Sequence, residues 1–499
     1  MDSLTKIRRI CTSILIAATA LWFFLLPGYI VATVVRDPGL RTPAVPRCAF
    51  SWHRSLTPRI GRWAEERVSS GRAAKISPND ITSTEWPIFG TVFYLMATEN
   101  LQAACDQDPS LTSDPPVRYA RGAIGACAAL VADPSHAAWV QAKWGEDYLH
   151  RENVFYRYLL IFGFTAYERL TGDSRYRRIL KDQVDTLSEE FSQAPHFVLD
   201  DYPNECYPAD VLWAVAAIRR ADPVLGTNHE DLVKKAFDHF KPPLVDPLGL
   251  IPYSADSQKG VARGSSRGCG NSAVLIFAPE LDARTAREWY GTYERHFWQR
   301  VWLFDGFREF PAGSGKDLFW DVDSGPVVLG HGVAACAFGV GAARANGRFD
   351  HAYTLAAESI VFSWPLPDGT LLIPRILSNA SEAPCLGEAG MLFNLTRTPS
   401  PYARIVPAKS LSPLFWILLC GYFAFGSGLV WSEVRRWRRW RNEEVLHPRA
   451  AFAAWAVCLG AAVILALCGF WGSTVLPLLL SLSMPEWIAG RTKTPASRA

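Results

Sequence analysis

"RENVFYRYLLIFGFTAYERLTGDSRYRRILKDQVDTLSEEF" (residues 151–191) carries two helices back to back. Apolar side chains recur at helical spacing through 151–172 and again through 173–191, instead of alternating as in a strand. The punctuation agrees: Gly172 stops the first helix, and Asp173 or Ser174 is placed to cap the second. The same spacing recurs at 86–105, 118–133, 208–220, 229–240, 270–280, 326–344 and 349–363. Roughly ten to twelve helices with short turns and few strand-like runs are expected, which makes the chain mainly α. No fixed period stands out, and this argues against a solenoid. Polar, Gly-rich and aromatic-rich loops at 199–207, 246–270 and 305–325 recur between helix pairs. In a closed (α/α)6 toroid such loops gather at one mouth and build a pocket, so the toroid is the expected architecture.

Apolar runs flank this array. Residues 10–35 are uncharged over more than the roughly 20 residues a membrane span needs, and Lys6, Arg8 and Arg9 precede them. No small-x-small cleavage site closes the run, so it reads as an uncleaved anchor. A second uncharged run covers 410–432, and a third starts near Ala450 and continues past Phe470. Between them "EVRRWRRWRNEEVLHPR" (433–449) is dense in Arg and belongs in the cytoplasm. The basic N-terminus falls on the same side, although Arg36, Arg41, Arg47 and Arg54 beyond the first span pull the other way. The expected division is a tip and anchor at 1–36, a soluble domain at 37–409, a span at 410–432, a basic cytoplasmic loop at 433–449, and a span with tail at 450–499. The protein is then an integral membrane protein whose soluble domain lies outside the cytoplasm, in a periplasm or lumen. The sequons at Asn379 and Asn394 fit a eukaryotic lumen.

Composition narrows the function classes. The 499 residues carry a net charge of only +3 with no strongly basic globular stretch, so nucleic acid is not an expected partner. Trp is frequent, which suits a chain that meets a membrane, an apolar ligand, or both. The eleven Cys are scattered without a CxxC pair or zinc-like spacing, so neither a disulfide framework nor a metal site is indicated.

Candidate chemistry concentrates in a few places. Glu85 with Trp86 stands at the start of a very apolar helix, and the Glu152–Asn153 pair opens an aromatic one with Tyr156 a turn on. Asp200, Asp201, Tyr202, Asn204, Glu205, Cys206 and Tyr207 share one loop, with carboxylates and a thiol beside aromatic rings. Tyr253 belongs to the next loop, and Cys269 precedes a helix, where a thiol pKa can fall. In "FREFPAGSGKDLFWDVDSGPVVLGHG" (307–332), Pro326 lies near a helix start, with Ser324 or Gly325 as cap and Asp323 as a favourable charge. Trp320, Asp321 and Glu309 remain, and the turn at 311–315 can fold Glu309 back towards them. Two carboxylates brought together raise one pKa and leave an acid beside a base.

Three segments resemble the linalool dehydratase/isomerase family. They are 148–176 with its Glu152–Asn153 pair, Tyr156 and Leu-Thr-Gly close, 197–214 around Cys206, and the Arg-Glu…Ala-Gly and Asp-x-Asp-Ser-Gly-Pro of the 307–332 stretch. The resemblance spans roughly residues 80–400. It implies an (α/α)6 barrel, an acid on an early helix where Glu85 falls, and thiol chemistry at Cys206. The chain departs from the pattern at Leu159, where the family has a His, and at 197–200, where Phe-Val-Leu-Asp replaces the segment bearing a second Cys.

The expected activity is a membrane-anchored, cofactor-independent lyase or isomerase on a terpenoid or similar hydrophobic alcohol or alkene. It would dehydrate, shift a double bond or cyclise by acid–base catalysis. Glu85, Cys206, Glu309 and Asp321 are the catalytic candidates, and Trp86, Asn153, Tyr156, Tyr202, Tyr253, Cys269, Trp320 and Asp323 line the site. A carbohydrate substrate fits the same toroid, since paired carboxylates with Trp platforms also serve glycosidases. A non-enzymatic membrane scaffold or binding protein is the third option. The partners are a small hydrophobic molecule and the membrane, and the sequence leaves a homo-oligomer open.

Overall fold

The computed structural model describes residues 3–440, 448–467, 477, 478, 480 and 481. The chain divides into two compact units, Val31–Ile417 and the paired terminal segments Met1–Ile30 and Leu418–Ala499.

The larger unit is mainly helical. Its principal helices are α1 (Arg47–Ser69), α2 (Ile81–Gln107), α3 (Arg121–Ala132), α4 (Val154–Thr171), α5 (Arg177–Gln193), α6 (Pro208–Leu225), α7 (Glu230–His239), α8 (Gly268–Leu281), α9 (Ala283–Phe297), α10 (Val333–Ala345), α11 (Phe349–Ser363) and α12 (Leu386–Thr396). Two kinds alternate. α4 is buried on nearly every side, and a helix apolar all round must be surrounded by protein. α5 buries a single stripe at Leu180, Val184, Leu187 and Phe191, which leaves a solvated face. α2 packs on α4, α4 on α6, α6 on α8, α8 on α10, α10 on α12, and α12 on α2. Against these, α5 covers α4, α7 covers α6, α9 covers α8 and α11 covers α10, while α1 and α3 pack together over α12 and α4.

Each of the six inner helices sends an aromatic ring to a common layer. Phe93 of α2 stacks on Phe393 of α12 at 5.0 Å, and Phe162 of α4 on Phe277 of α8 at 5.0 Å. Trp213 of α6 meets Phe277 edge-on at 5.0 Å and Phe338 of α10 at 6.3 Å. Beyond this layer, at the C-terminal ends, Arg220 bridges Glu99 and Glu280 at 3.1 and 3.2 Å, and Arg169 and Arg397 complete the chain of charges. Arg344 is fully buried and donates to the carbonyls of Gly39, Ala44 and Arg397, tying residues 39–44 to the same end.

Several boundaries differ from expectation. Gly172 ends α4 in the left-handed region, but α5 is not capped by Asp173 or Ser174: it begins at Arg177, and Asp173 instead accepts from the Arg175 amide and the Tyr167 hydroxyl. α10 begins at Val333, not at 326. Gly325 and Gly330 take positive φ, and the β-branched pair Val327–Val328 between them favours strand. Residues 318–332 therefore form β5 (Leu318–Asp321), β6 (Gly325–Val328) and β7 (His331–Gly332), following the short antiparallel pairs β1 (Ala255–Asp256) with β2 (Val261–Ala262) and β3 (Trp298–Arg300) with β4 (Asp305–Phe307). α1, α9 and α12 lie outside the expected runs. Arg and Glu crowd the first two, and the third is short. Asn394 is buried inside α12, so only Asn379 of the two sequons is accessible in the folded chain.

Among the described residues two helices are long and apolar enough to cross a membrane, Lys6–Val34 and Pro413–Arg438. The helix Pro413–Trp440 runs on through Arg435, Arg436 and Arg438, so the first half of the basic segment 433–449 is helix and not loop. Residues 441–447 lie outside the described residues. Pro448–Leu467 is an apolar helix, and the expected continuation past Phe470 again falls outside them.

Candidate active site at the helix N-termini

The three polar loops meet over the N-terminal ends of the inner helices. Cys206 forms an antiparallel bridge with Ala255, its carbonyl accepting the Ala255 amide at 3.0 Å. Arg263 reaches the Asn204 carbonyl, the rings of Tyr207 and Tyr253 meet edge-on, and the Tyr253 hydroxyl donates to Asp323 at 2.5 Å. Asp201 anchors the first loop to two helix starts: its carboxylate accepts the Phe155 amide at 2.9 Å and the Tyr207 amide at 3.0 Å. It satisfies one of the orphan N–H groups of α4 that Asn153, in the left-handed conformation and without a capping bond, leaves open.

Beneath the loops lies a group of carboxyls with few cations near it. α2 starts at Ile81, capped by Asp80, so Glu85 sits one turn further into the helix than expected. Its carboxyl accepts the Tyr202 hydroxyl, and burial with the negative charges of Asp210 and Asp323 pushes its pKa up to about 8. Asp210, in the first turn of α6, accepts the Tyr158 hydroxyl at 3.1 Å. Burial raises its pKa and Asp323 raises it further, while the Tyr158 bond favours the ionised form. Asp201 is also pushed up, by burial and by Asp210. Phe155 touches Tyr158 and Phe89 at 5.5 and 5.8 Å, and Tyr158 touches Trp213 at 5.7 Å, so aromatic faces lead from these carboxyls down to the central layer. Trp139 lies against Tyr202 at 5.9 Å. Trp86 is half-buried on α2.

The other candidates separate. Glu309 is fully buried and pairs with Arg267 at 2.7 Å, and the same guanidinium holds Asp321 at 2.7 Å. The two carboxylates thus do not form an acid beside a base by mutual repulsion. Arg267 stands between them, and with the Ser324 amide and hydroxyl it holds Asp321 below its ordinary range. Burial raises Glu309 against the pull of Arg267. Cys269 donates its thiol and amide to Glu309 at 3.0 and 3.1 Å. Its helix-start position does not lower its pKa, because burial and Glu309 raise it. Cys206 is raised likewise by burial and by Asp201 and Asp200. Neither thiol is ionised near neutral pH. Asp323 is not a helix-start charge; it lies exposed in the β5–β6 turn. Trp320 lies on the opposite face of β5 from Asp321 and is 71% exposed. Asn153 is buried, donating to the Tyr148 carbonyl, and Tyr156 is buried between Tyr148 and Trp139.

Sequence reasoning missed Asp210 and Tyr158. Asp210 follows Pro208 in a helix first turn, where an acid is usual, and only its burial sets it apart. Among the described residues, Glu294, Asp350 and His351 form one group with metal-ligand spacing. Arg348 already bonds both carboxylates there, with Lys409 on Asp350, so the negative charge is neutralised. No protein-family model and no curated protein matches the chain.

Proposed function

We propose that residues 37–409 form an (α/α)6 toroid of the linalool dehydratase/isomerase kind, anchored in a membrane and exposed outside the cytoplasm. The cyclic packing of α2, α4, α6, α8, α10 and α12 with an outer helix against each supports the toroid. Lys6–Val34 and Pro413–Arg438, with the Arg-rich end of the second, support the anchoring. The activity we infer is cofactor-independent lyase or isomerase chemistry on a terpenoid or similar hydrophobic alcohol or alkene. The observation that carries it is Glu85: a carboxyl that stays protonated at neutral pH, held by Tyr202, beside the Tyr158-bonded Asp210 and above an aromatic floor.

In a dehydration Glu85 gives its proton to the substrate hydroxyl, the C–O bond breaks, and water leaves. The cation-like centre that remains is stabilised by aromatic faces and by the surrounding carboxylate charge. Asp210 then takes a proton from the neighbouring carbon, and the C–H electron pair becomes the new double bond. An isomerisation uses the same two groups in sequence on an alkene. Cys206 and Cys269, as neutral buried thiols, shape the wall; Glu309 and Asp321 hold the mouth together through Arg267.

The test is to incubate full-length protein in nanodiscs with tertiary allylic alcohols and acyclic terpene alkenes and to analyse the headspace by gas chromatography. Turnover that is lost in both Glu85→Gln and Asp210→Asn is the expected result. No turnover of these compounds by a folded protein sinks the proposal. A glycosidase is the second possibility, favoured by the half-buried Trp86 beside Glu85, and hydrolysis of a panel of aryl glycosides by the same preparation would decide for it.

A further inference from the structure

The β5–β6 hairpin is built the wrong way round for water. In its register Leu318 faces Val328 and Trp320 faces Pro326, so these four side chains share one face, while Phe319, Asp321 and Val327 take the other. The second face is turned inward: Val327 is buried, and Asp321 reaches Arg267 at the mouth of the candidate site. The first face is therefore the solvent side, where an antiparallel hairpin ordinarily carries polar residues. Here Leu318 is 78%, Trp320 71% and Val328 52% exposed. The chain then exposes Leu329 at a positive φ of 52°, a conformation that costs free energy for a residue with a Cβ.

Hydrogen bonds link this apolar face to the start of an apolar helix. The Leu329 carbonyl accepts from Gln299 on β3 at 2.9 Å, and β3 leads into a tight turn closed by the Val301 amide on the Phe304 carbonyl. Trp302, 82% exposed, occupies that turn, and the Leu303 carbonyl accepts the Leu414 amide at 2.8 Å. Leu414 is the second residue of the span-length helix that begins at Pro413. Trp at such a junction matches the preference of its amphipathic ring for the headgroup level of a bilayer. An isolated exposed Leu needs no explanation, but an apolar hairpin face bonded through β3 to the first turn of a membrane-length helix does.

We propose that the outer face of the 318–329 hairpin, with Trp302, seats in the interfacial zone of the lipid bilayer into which the helix Pro413–Trp440 runs. This rests on the membrane anchoring put forward under Proposed function and deepens it. The hairpin is the wall between that lipid and the candidate site, since its inner face carries Asp321 and its turn presents Asp323 to Tyr253. A lipid-soluble substrate reaches the mouth from the bilayer without crossing bulk water.

Tryptophan quenching on the full chain in phosphatidylcholine nanodiscs tests it. Wild type is compared with a Trp302→Phe/Trp320→Phe variant and with a Trp416→Phe/Trp431→Phe variant, using lipid brominated on the acyl chains and, separately, aqueous iodide. The expected result is that loss of Trp302 and Trp320, two of the nineteen tryptophans, lowers the lipid-quenched emission and leaves the iodide-quenched emission unchanged. A fall in the iodide-quenched part alone overturns the proposal, because those rings then stand in water. Loss of emission that neither quencher reached overturns it too, and means that protein, such as a second copy of the chain, covers the hairpin. The Trp416/Trp431 variant separates the failures. If it lowers lipid quenching while the hairpin variant does not, the helix is inserted and only the hairpin docking falls; if neither does, the anchoring itself falls.

Discussion

Glu85 is a carboxyl whose environment has been arranged against its charge. Its pKa of about 8, against an ordinary 4.5, comes first from burial and then from Asp210 and Asp323. In the general-acid role proposed for it the carboxyl works protonated, so turnover is expected to fall as pH rises through about 8, and Glu85→Gln is expected to lower kcat by about 10²–10⁴-fold. Stability has the same sign. Between pH 4.5 and 8 the folded state binds this proton and the unfolded state does not, so stability declines with rising pH across that window. Thermal unfolding should therefore show Glu85→Gln gaining Tm over wild type at pH 8 and no gain at pH 4. Arg267 poses the opposite case, a buried cation that compensates Glu309 and Asp321. Arg267→Ala leaves the fully buried Glu309 unpaired and is expected to destabilise by about 3–5 kcal/mol. A Glu309→Gln second change should recover part of that in chemical denaturation. Equal stability of Arg267→Ala and wild type would remove the anchoring role given to this residue. Neither environment is visible along the chain, because burial and opposing charges come from residues tens or hundreds of positions away.

At the scale of elements, helices can be read from spacing, while what happens between them depends on close approach. Gly268 opens α8 where a Cβ would lie 2.0 Å from the Arg308 carbonyl oxygen and 2.8 Å from the Ala335 Cβ. A backbone oxygen cannot step aside, so Gly268→Ala is expected to cost about 1–3 kcal/mol through overpacking. Gly291, inside α9, faces open space, and Gly291→Ala should stabilise by about 0.5–1 kcal/mol through helix propensity. Paired urea melts check both signs. The same contrast explains which boundaries were legible. Gly172 ends α4 by its own backbone freedom, a local property. The beginning of α10 at Val333 depends on β5 and β6 pairing with each other, and on Arg267 clamping Asp321, neither of which spacing records.

Across the whole molecule, the six inner helices share one aromatic layer, so damage there should not stay local. Trp213 contacts Phe89, Phe93, Tyr158, Phe162, Phe277, Phe338 and Phe393. Trp213→Ala is expected to cost about 3–5 kcal/mol and to reduce hydrogen-exchange protection in α2, α4, α8, α10 and α12 as well as in α6. Loss confined to α6 would contradict a common core. The charges follow the same axis. The N-terminal ends hold Glu85 and Asp210 with raised pKa values, and the C-terminal ends hold Glu99 and Glu280 satisfied by Arg169, Arg220 and Arg397. One end has its carboxylates paired with cations, and the other keeps carboxyls of raised pKa without cationic partners beside aromatic rings, which is the asymmetry the proposed proton transfer would use.

The sequence by itself determined the mainly helical class, most helix positions and the membrane-length apolar runs, because these depend on the periodicity and composition of contiguous residues. It also placed Glu85 and the three loops among the candidates, since acids and Gly-rich aromatic loops beside apolar helices are uncommon locally. Only the tertiary structure decided which candidates meet. It joined Glu85 to Tyr202, brought in Asp210 and Tyr158, put Arg267 between Glu309 and Asp321, and turned Trp320 outward. Burial, hydrogen bonding and charge proximity are properties of neighbours in space, and the chain order of these residues does not encode that neighbourhood in any local pattern.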